Sequence, residues 1–222
     1  MQTRREAKEA LFEQFARVTK ALGSPRRLEL IDLLAQGERS VEALARSTDT
    51  NLTTVSAHLQ ALRRANLVAT RRDGTRIYYR LAGPDVGALY VQVQRIAEAH
   101  LPDLPAVATA FLGEDDSEEI GREELLRRLQ DGSVTVIDVR PGEEYASGHI
   151  PGAMSIPLGQ LAERLGEIPA GTDVVATCRG PYCVLSHDAV RILHDHGITA
   201  RRLSDGVLEW SAASLPLERA GA

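Results

Sequence analysis

Cysteine and lysine are nearly absent from the 222 residues: two of the first, Cys178 and Cys183, and two of the second, Lys8 and Lys20. Two cysteines are too few for a disulfide framework, and a close pair in a reducing compartment reads as redox or catalytic chemistry. No apolar run approaches the ~18 residues of a membrane span. The N-terminus MQTRREAKEALFEQF is charged and carries no apolar signal segment, so the expected location is the cytoplasm. Aromatics are sparse at 4%, but 43% hydrophobic and 26% charged residues make an ordinary globular mixture, long enough for two domains with their own cores.

The net charge of −5 is unevenly spread. Residues 1–112 hold 16 basic and 12 acidic side chains; residues 113–222 hold 10 and 19. Within 51–80, six arginines (63, 64, 71, 72, 76 and 80) face a single acid, Asp73. Such a patch suits a polyanion or a solvated face. The acidic stretch GEDDSEE, residues 113–119, reads as a linker between a domain at 1–112 and another at 120–222. Pro102 and Pro105 end or kink the helix before it.

The first domain reads as mostly helical. Ser24-Pro25 starts a helix with Leu28, Ile31, Leu34 and Ala35 at helical spacing, and Gly37 ends it. Ser40 caps a short helix carrying Val41, Leu44 and Ala45; after a turn, Asn51 caps a third. In the third, Leu52, Val55, Leu59 and Leu62 share one face. The other presents Thr53, Thr54, Ala57, Gln60 and Arg64, with Ser56 and His58 at its margins. That is a helix-turn-helix whose small outer side chains admit it to the major groove, with Gln60 and Arg64 able to reach base edges. LVATRRDGTRIYYRL is a hairpin about Asp73-Gly74, a basic wing whose Arg71, Arg72 and Arg76 would meet phosphate or the minor groove. Helices at about 6–22 and 84–100 remain to be covered.

The segment ALGSPRRLELIDLLAQGERSVEALARST…NLTTVSAHLQALRRANLVATRRDGTRIYYRL resembles the ArsR family of winged-helix repressors over roughly residues 8–100. The resemblance implies a homodimer built on the first and last helices and bound to a palindromic operator in double-stranded DNA. Metal-sensing members carry cysteines before the recognition helix or an Asp/His set on the last one. Here ERSVEALA has no cysteine, and Asp85, Glu98 and His100 lack a His partner near Asp85, so no metal or cofactor is expected.

The second domain alternates strand-like and helical runs, an α/β pattern with a mainly parallel sheet. VTVIDVR is a buried strand; TDVVAT is another that runs into Cys178, and VLSHDAVRILHDHGI is a helix. Cys178 therefore opens a strand-to-helix loop at the carboxyl edge of a sheet, where α/β proteins place their sites. Inward N–H groups and the following helix would lower a thiol pKa from ~8.5 to ~3.5–7.5. Arg179 would add a cation for an anionic substrate, and Gly180 and Pro181 permit and fix a tight path.

DVRPGEEYASGHIPGA, the cysteine loop and LSDGVLEW, in that order, resemble the rhodanese family of sulfurtransferases over roughly residues 118–218. The resemblance implies an active-site loop of Cys178, Arg179, Gly180, Pro181, Tyr182 and Cys183, a persulfide on Cys178, a small sulfur donor such as thiosulfate, polysulfide or a persulfide, bracing by Asp138 and Arg140, and a structural His149. Many single-domain relatives have Arg or Ser where this chain has Cys183. Two readings stay open: a second working thiol, or a small buried residue at a helix start. Relatives acting on phosphate or arsenate use a longer loop with Arg six residues after the nucleophile; Val184 stands there, against that chemistry. His187, His194 and His196 read as a solvated helix end.

Three functions follow: a repressor whose rhodanese domain senses or transfers sulfane sulfur; a sulfurtransferase localised by the winged helix; or a metal-responsive repressor with an inactive rhodanese module. The first domain has no cysteine, so any sulfur signal starts in the second.

Overall fold

The computed structural model describes residues 3–114 and 117–220. The chain forms two compact units, Met1–Tyr90 and Val91–Ala222. The first contains α1 (Arg4–Leu22), α2 (Pro25–Ala35), β1 (Arg39–Ser40), α3 (Val41–Ser47), α4 (Leu52–Arg64), β2 (Val68–Asp73) and β3 (Arg76–Leu81). Helix α5 (Pro84–His100) begins in this unit and ends in the other.

The caps follow the sequence. Ser40 Oγ accepts from the Ala43 N–H and Asn51 Oδ1 from the Thr54 N–H, each meeting an otherwise orphaned donor of a first turn. Ser24 stands at the N-cap of α2 but makes no side-chain cap bond. The core gathers Leu30, Ile31 and Leu34 of α2, Leu44 of α3, Val55, Leu59 and Leu62 of α4, and Val86 of α5. Leu52 corrects the expected face: at the first position of α4 it lies past the packed stripe and is 49% exposed. β2 and β3 pair from Val68↔Leu81 to Asp73↔Arg76, leaving Gly74 and Thr75 as a two-residue turn. Gly74 has φ +58°, the left-handed conformation that a primed hairpin turn requires and glycine adopts without cost. β1 adds antiparallel to β3, giving the order β1-β3-β2.

In the second unit, α5 is followed by α6 (Leu104–Leu112). Of the segment read as a linker, Asp115 and Asp116 lie outside the described residues; its last residue, Glu119, already belongs to a strand. Five parallel strands follow: β4 (Glu119–Ile120), β5 (Val134–Asp138), β6 (Met154–Ser155), β7 (Asp173–Thr177) and β8 (Ala200–Leu203), in the order β4-β8-β7-β5-β6. Between them come α7 (Arg122–Gln130), α8 (Gly142–Ser147), α9 (Leu161–Arg164), α10 (Val184–Asp195) and, last, α11 (Val207–Ala212).

Alternate residues of a strand point to opposite faces, so a strand buried on both sides is apolar throughout. Ile137, Val174 and Ala176 pack with Leu161 of α9 and Ala189, Val190 and Leu193 of α10. Val136 and Val175 pack the other way, with Leu125 of α7 and Trp210 of α11. The outcome is a helix–sheet–helix sandwich. No helix of the described residues is long and apolar enough to cross a membrane.

Candidate functional site

β5 and β7 lie side by side with Asp138 opposite Thr177, and the Val139 N–H bonds the Thr177 carbonyl (3.2 Å). Cys178 is the next residue, at the carboxyl edge of the sheet. Asp138 and Arg140 have fully buried side chains and form a fork: Arg140 Nε and Nη2 meet the Asp138 carboxylate at 2.9 and 2.5 Å. Arg140 Nη2 also donates to the Gly148 carbonyl (2.8 Å). The fork fixes the end of β5 and the turn after α8, and reaches Cys178 through the β5–β7 pairing. His149 stacks on Tyr145 with centroids 3.6 Å apart and its Nδ1 lies 2.9 Å from the Tyr145 carbonyl, a structural placement.

The loop itself is closed. Cys178 and Cys183 form a disulfide with Cα atoms 6.2 Å apart, inside the ~4.4–6.8 Å window that the bond requires. In this state neither sulfur is the thiolate expected from the sequence. Cys183 is the N-cap of α10; its N–H donates to the Gly180 carbonyl (3.2 Å), not to sulfur.

Arg179 departs from its expected part. Its Nε and Nη2 make a bidentate pair with Glu144 at 2.9 and 2.7 Å, and Glu144 is 1% exposed. The guanidinium is a strut from the loop to α8 rather than a cation held open for an anion. Two residues at the start of α11 lock the other side: the Val207 N–H bonds the Cys178 carbonyl (3.0 Å) and the Leu208 N–H the Arg179 carbonyl (3.3 Å). Gly206 makes this approach feasible, because any Cβ there would overlap the backbone of Arg179 and Gly180. Glu209, also buried, accepts from the Gly206 N–H (2.9 Å). Tyr182 points elsewhere: its hydroxyl donates to Glu98 on α5 (2.9 Å). Burial, then that carboxylate, push its pKa up to about 12.

In the other unit, Thr53 and Arg64 are exposed on α4, and Thr54, Ser56 and His58 half-buried. Gln60 does not stand free for a base edge, since its Nε2 donates to the buried Tyr79 hydroxyl (3.0 Å). Arg71 is likewise engaged: Nε and Nη2 reach Glu38 at 2.9 and 2.7 Å, Nη1 reaches Asp73 at 3.3 Å, and the guanidinium lies 4.7 Å from the Tyr78 ring centroid. The hydrogen bonds it donates to Glu38 and then Asp73 raise its pKa. Arg72 Nε bends to the Gly74 carbonyl (3.0 Å), and Arg76 is exposed beside the turn. His194 and His196 lie on or just beyond the exposed end of α10, each against a backbone carbonyl, whereas His187 is buried, a correction for that residue. No group of three potential metal ligands occurs among the described residues.

Residues 24–70 match the model of the bacterial regulatory protein, arsR family, and residues 121–213 that of the rhodanese-like domain. An HTH-type transcriptional regulator of Mycobacterium tuberculosis, Rv0324, is 54% identical over 213 residues, covering 96% of this chain and 94% of that protein. The chain is an arsR-family regulator with a rhodanese-like domain. A sulfurtransferase of Allochromatium vinosum is 35% identical over 101 residues, 45% of the regulator and 92% of that protein. The solution structure of a homodimeric winged helix-turn-helix DNA-binding domain from Mycobacterium bovis is 57% identical, covering 46% of the regulator and 92% of that chain, with a TM-score of 0.41.

In the regulator, the rhodanese-like match spans the loop together with Asp138, Arg140, Glu144, Gly206 and Glu209. The last three carry contacts that the sequence reading left unassigned. Gly206 and Glu209 stand inside LSDGVLEW and Glu144 inside DVRPGEEYASGHIPGA, so motif membership was the available signal. Glu98, weighed in the sequence only beside Asp85 and His100 as a metal ligand, gave no signal of its contact with Tyr182, because a surface acid on a helix announces no partner.

Proposed function

We propose that this regulator is a cytoplasmic repressor that binds a palindromic operator as a homodimer and lets go when a persulfide forms on Cys178. The observation that carries the reading is the pairing of the two thiols at the carboxyl edge of the sheet: Cys178 at the end of β7 and Cys183 at the start of α10, 6.2 Å apart by Cα. A thiol there, once reduced, would take a sulfane sulfur from polysulfide, a small persulfide or thiosulfate by nucleophilic attack. Once the donor is exhausted, attack by Cys183 on the Cys178 sulfur would break the persulfide bond, expel the outer sulfur as hydrosulfide and return the loop to the disulfide. Exposed Leu11, Phe12 and Phe15 on α1 and Leu89 and Ile96 on α5 support dimerisation through the first and last helices. DNA contact would fall to Thr53, Thr54, Ser56, His58 and Arg64 on α4 and to Arg72 and Arg76 at the wing, with Gln60 and Arg71 supporting.

The test loads reduced protein with polysulfide or thiosulfate and reads the intact mass. One added sulfur on Cys178 is expected, absent in Cys178→Ala; a variant that still accepts sulfur at the wild-type rate removes the assignment. The name of the Allochromatium relative favours a second reading, a sulfurtransferase localised by its winged helix. Turnover with cyanide or a thiol, without any change in operator affinity, would favour it.

A further inference from the structure

The closed loop stores oxidising power, and its two sulfurs are not equivalent. Cys178 and Cys183 are 2% and 8% exposed, so the disulfide is shielded from a bulky thiol, and a small nucleophile meets the least obstruction. Cys183 caps the twelve-residue α10, whose unsatisfied N–H groups and positive end would hold a thiolate. Cys178 follows a strand. The N–H groups of α11 that approach it are already taken by the carbonyls of Cys178 and Arg179. In thiol–disulfide exchange the sulfur with the lower pKa leaves faster, so Cys183 is the leaving group and Cys178 the sulfur attacked.

We propose a second entry to the same state: hydrosulfide opens the Cys178–Cys183 disulfide and leaves its sulfur on Cys178. HS⁻ attacks Cys178 Sγ, a sulfur–sulfur bond forms, and the Cys178–Cys183 bond breaks. The electron pair departs on Cys183 as a thiolate at the start of α10. The sulfide sulfur is oxidised and the Cys183 sulfur reduced by the same amount, and the sulfide proton remains on the persulfide or passes to water. No other oxidant or cofactor enters. The reduced loop thus takes sulfane sulfur and the oxidised loop takes sulfide, with one product. The inference rests on the reading that a Cys178 persulfide is the signalling state.

The experiment treats full-length disulfide-form protein anaerobically with polysulfide-free sodium sulfide, then alkylates and maps it by mass spectrometry. The expected result is a gain of one hydrogen sulfide, with the extra sulfur on Cys178 and a free Cys183. Wild-type protein reduced beforehand, and Cys183→Ser, should gain nothing from sulfide. A plain dithiol product, sulfur mapped to Cys183, or equal uptake by the pre-reduced protein would overturn the proposal. A parallel arm gives reduced wild type polysulfide: no sulfur on Cys178 there would defeat the underlying reading, whereas uptake there with none from sulfide would defeat this inference alone.

Discussion

Replacing Gly206 by alanine tests how the cysteine loop is held. Gly206 has φ −124°, a conformation open to any residue, so the requirement for glycine is steric. The added methyl would overlap the backbone of Arg179 and Gly180, which cannot swing aside as a side chain could. Relief means separating the loop from α11, which strains or breaks the bonds from the Val207 N–H to Cys178 (3.0 Å) and from the Leu208 N–H to Arg179 (3.3 Å). Overpacking costs about 1–3 kcal/mol and each of the two bonds about 0.5–1.5 kcal/mol, together roughly 2–6 kcal/mol. For a domain of this size that lowers the unfolding midpoint by roughly 10–30 °C. Calorimetry should show the drop in the rhodanese-like transition, and loading of the reduced loop by polysulfide should fail. Gly152→Ala is the control: φ is +77° with nothing within 4 Å, and its cost is backbone strain alone, about 1–2 kcal/mol. Equal losses for the two variants, or normal sulfur loading by Gly206→Ala, would refute the steric reasoning.

Arg179→Ala should destabilise the domain by about 1–3 kcal/mol in urea titration, since it strips a bidentate partner from buried Glu144, and Arg179→Lys should restore part of that. Tyr182 should ionise only near pH 12 in a spectroscopic titration, and Tyr182→Phe should remove that step. Its raised pKa means the folded protein holds the proton more tightly, so this contribution is complete below about pH 10 and lost as the pH rises through about 12. At the wing, Arg72→Ala or Arg76→Ala should each flatten the salt dependence of operator binding by about one unit of slope. Arg71→Ala should flatten it less, because its guanidinium already serves Glu38 and Asp73.

The fold was legible where spacing and caps agree. Asn51 before the α4 pattern, Asp73-Gly74 between two β-like runs, and an apolar strand running into Cys178 each named their element. The place of Cys178 on a strand-to-helix loop and the small polar face of α4 followed from the same patterns; bracing by Asp138 and Arg140 came from the resemblance to the rhodanese family alone, and their pairing with each other is seen only in the structure. What stayed hidden was which charged or polar side chain meets which. Arg179 reaches Glu144 across 35 positions, Arg71 reaches Glu38 across 33, and Gln60 reaches Tyr79 across 19. Local periodicity carries no information on such pairs, so each read as an open functional group. Leu52 failed for another reason: helical spacing assigns a face, and packing assigns how far along the helix that face is covered.

The most direct measurement is operator affinity at fixed salt for reduced and polysulfide-treated protein, wild type beside Cys178→Ser. The account predicts at least about a tenfold loss on sulfur treatment of wild type, a difference of ~1.4 kcal/mol between loop states, and no change in the variant. Equal affinities before and after treatment of wild type, with the persulfide verified on Cys178, would contradict it.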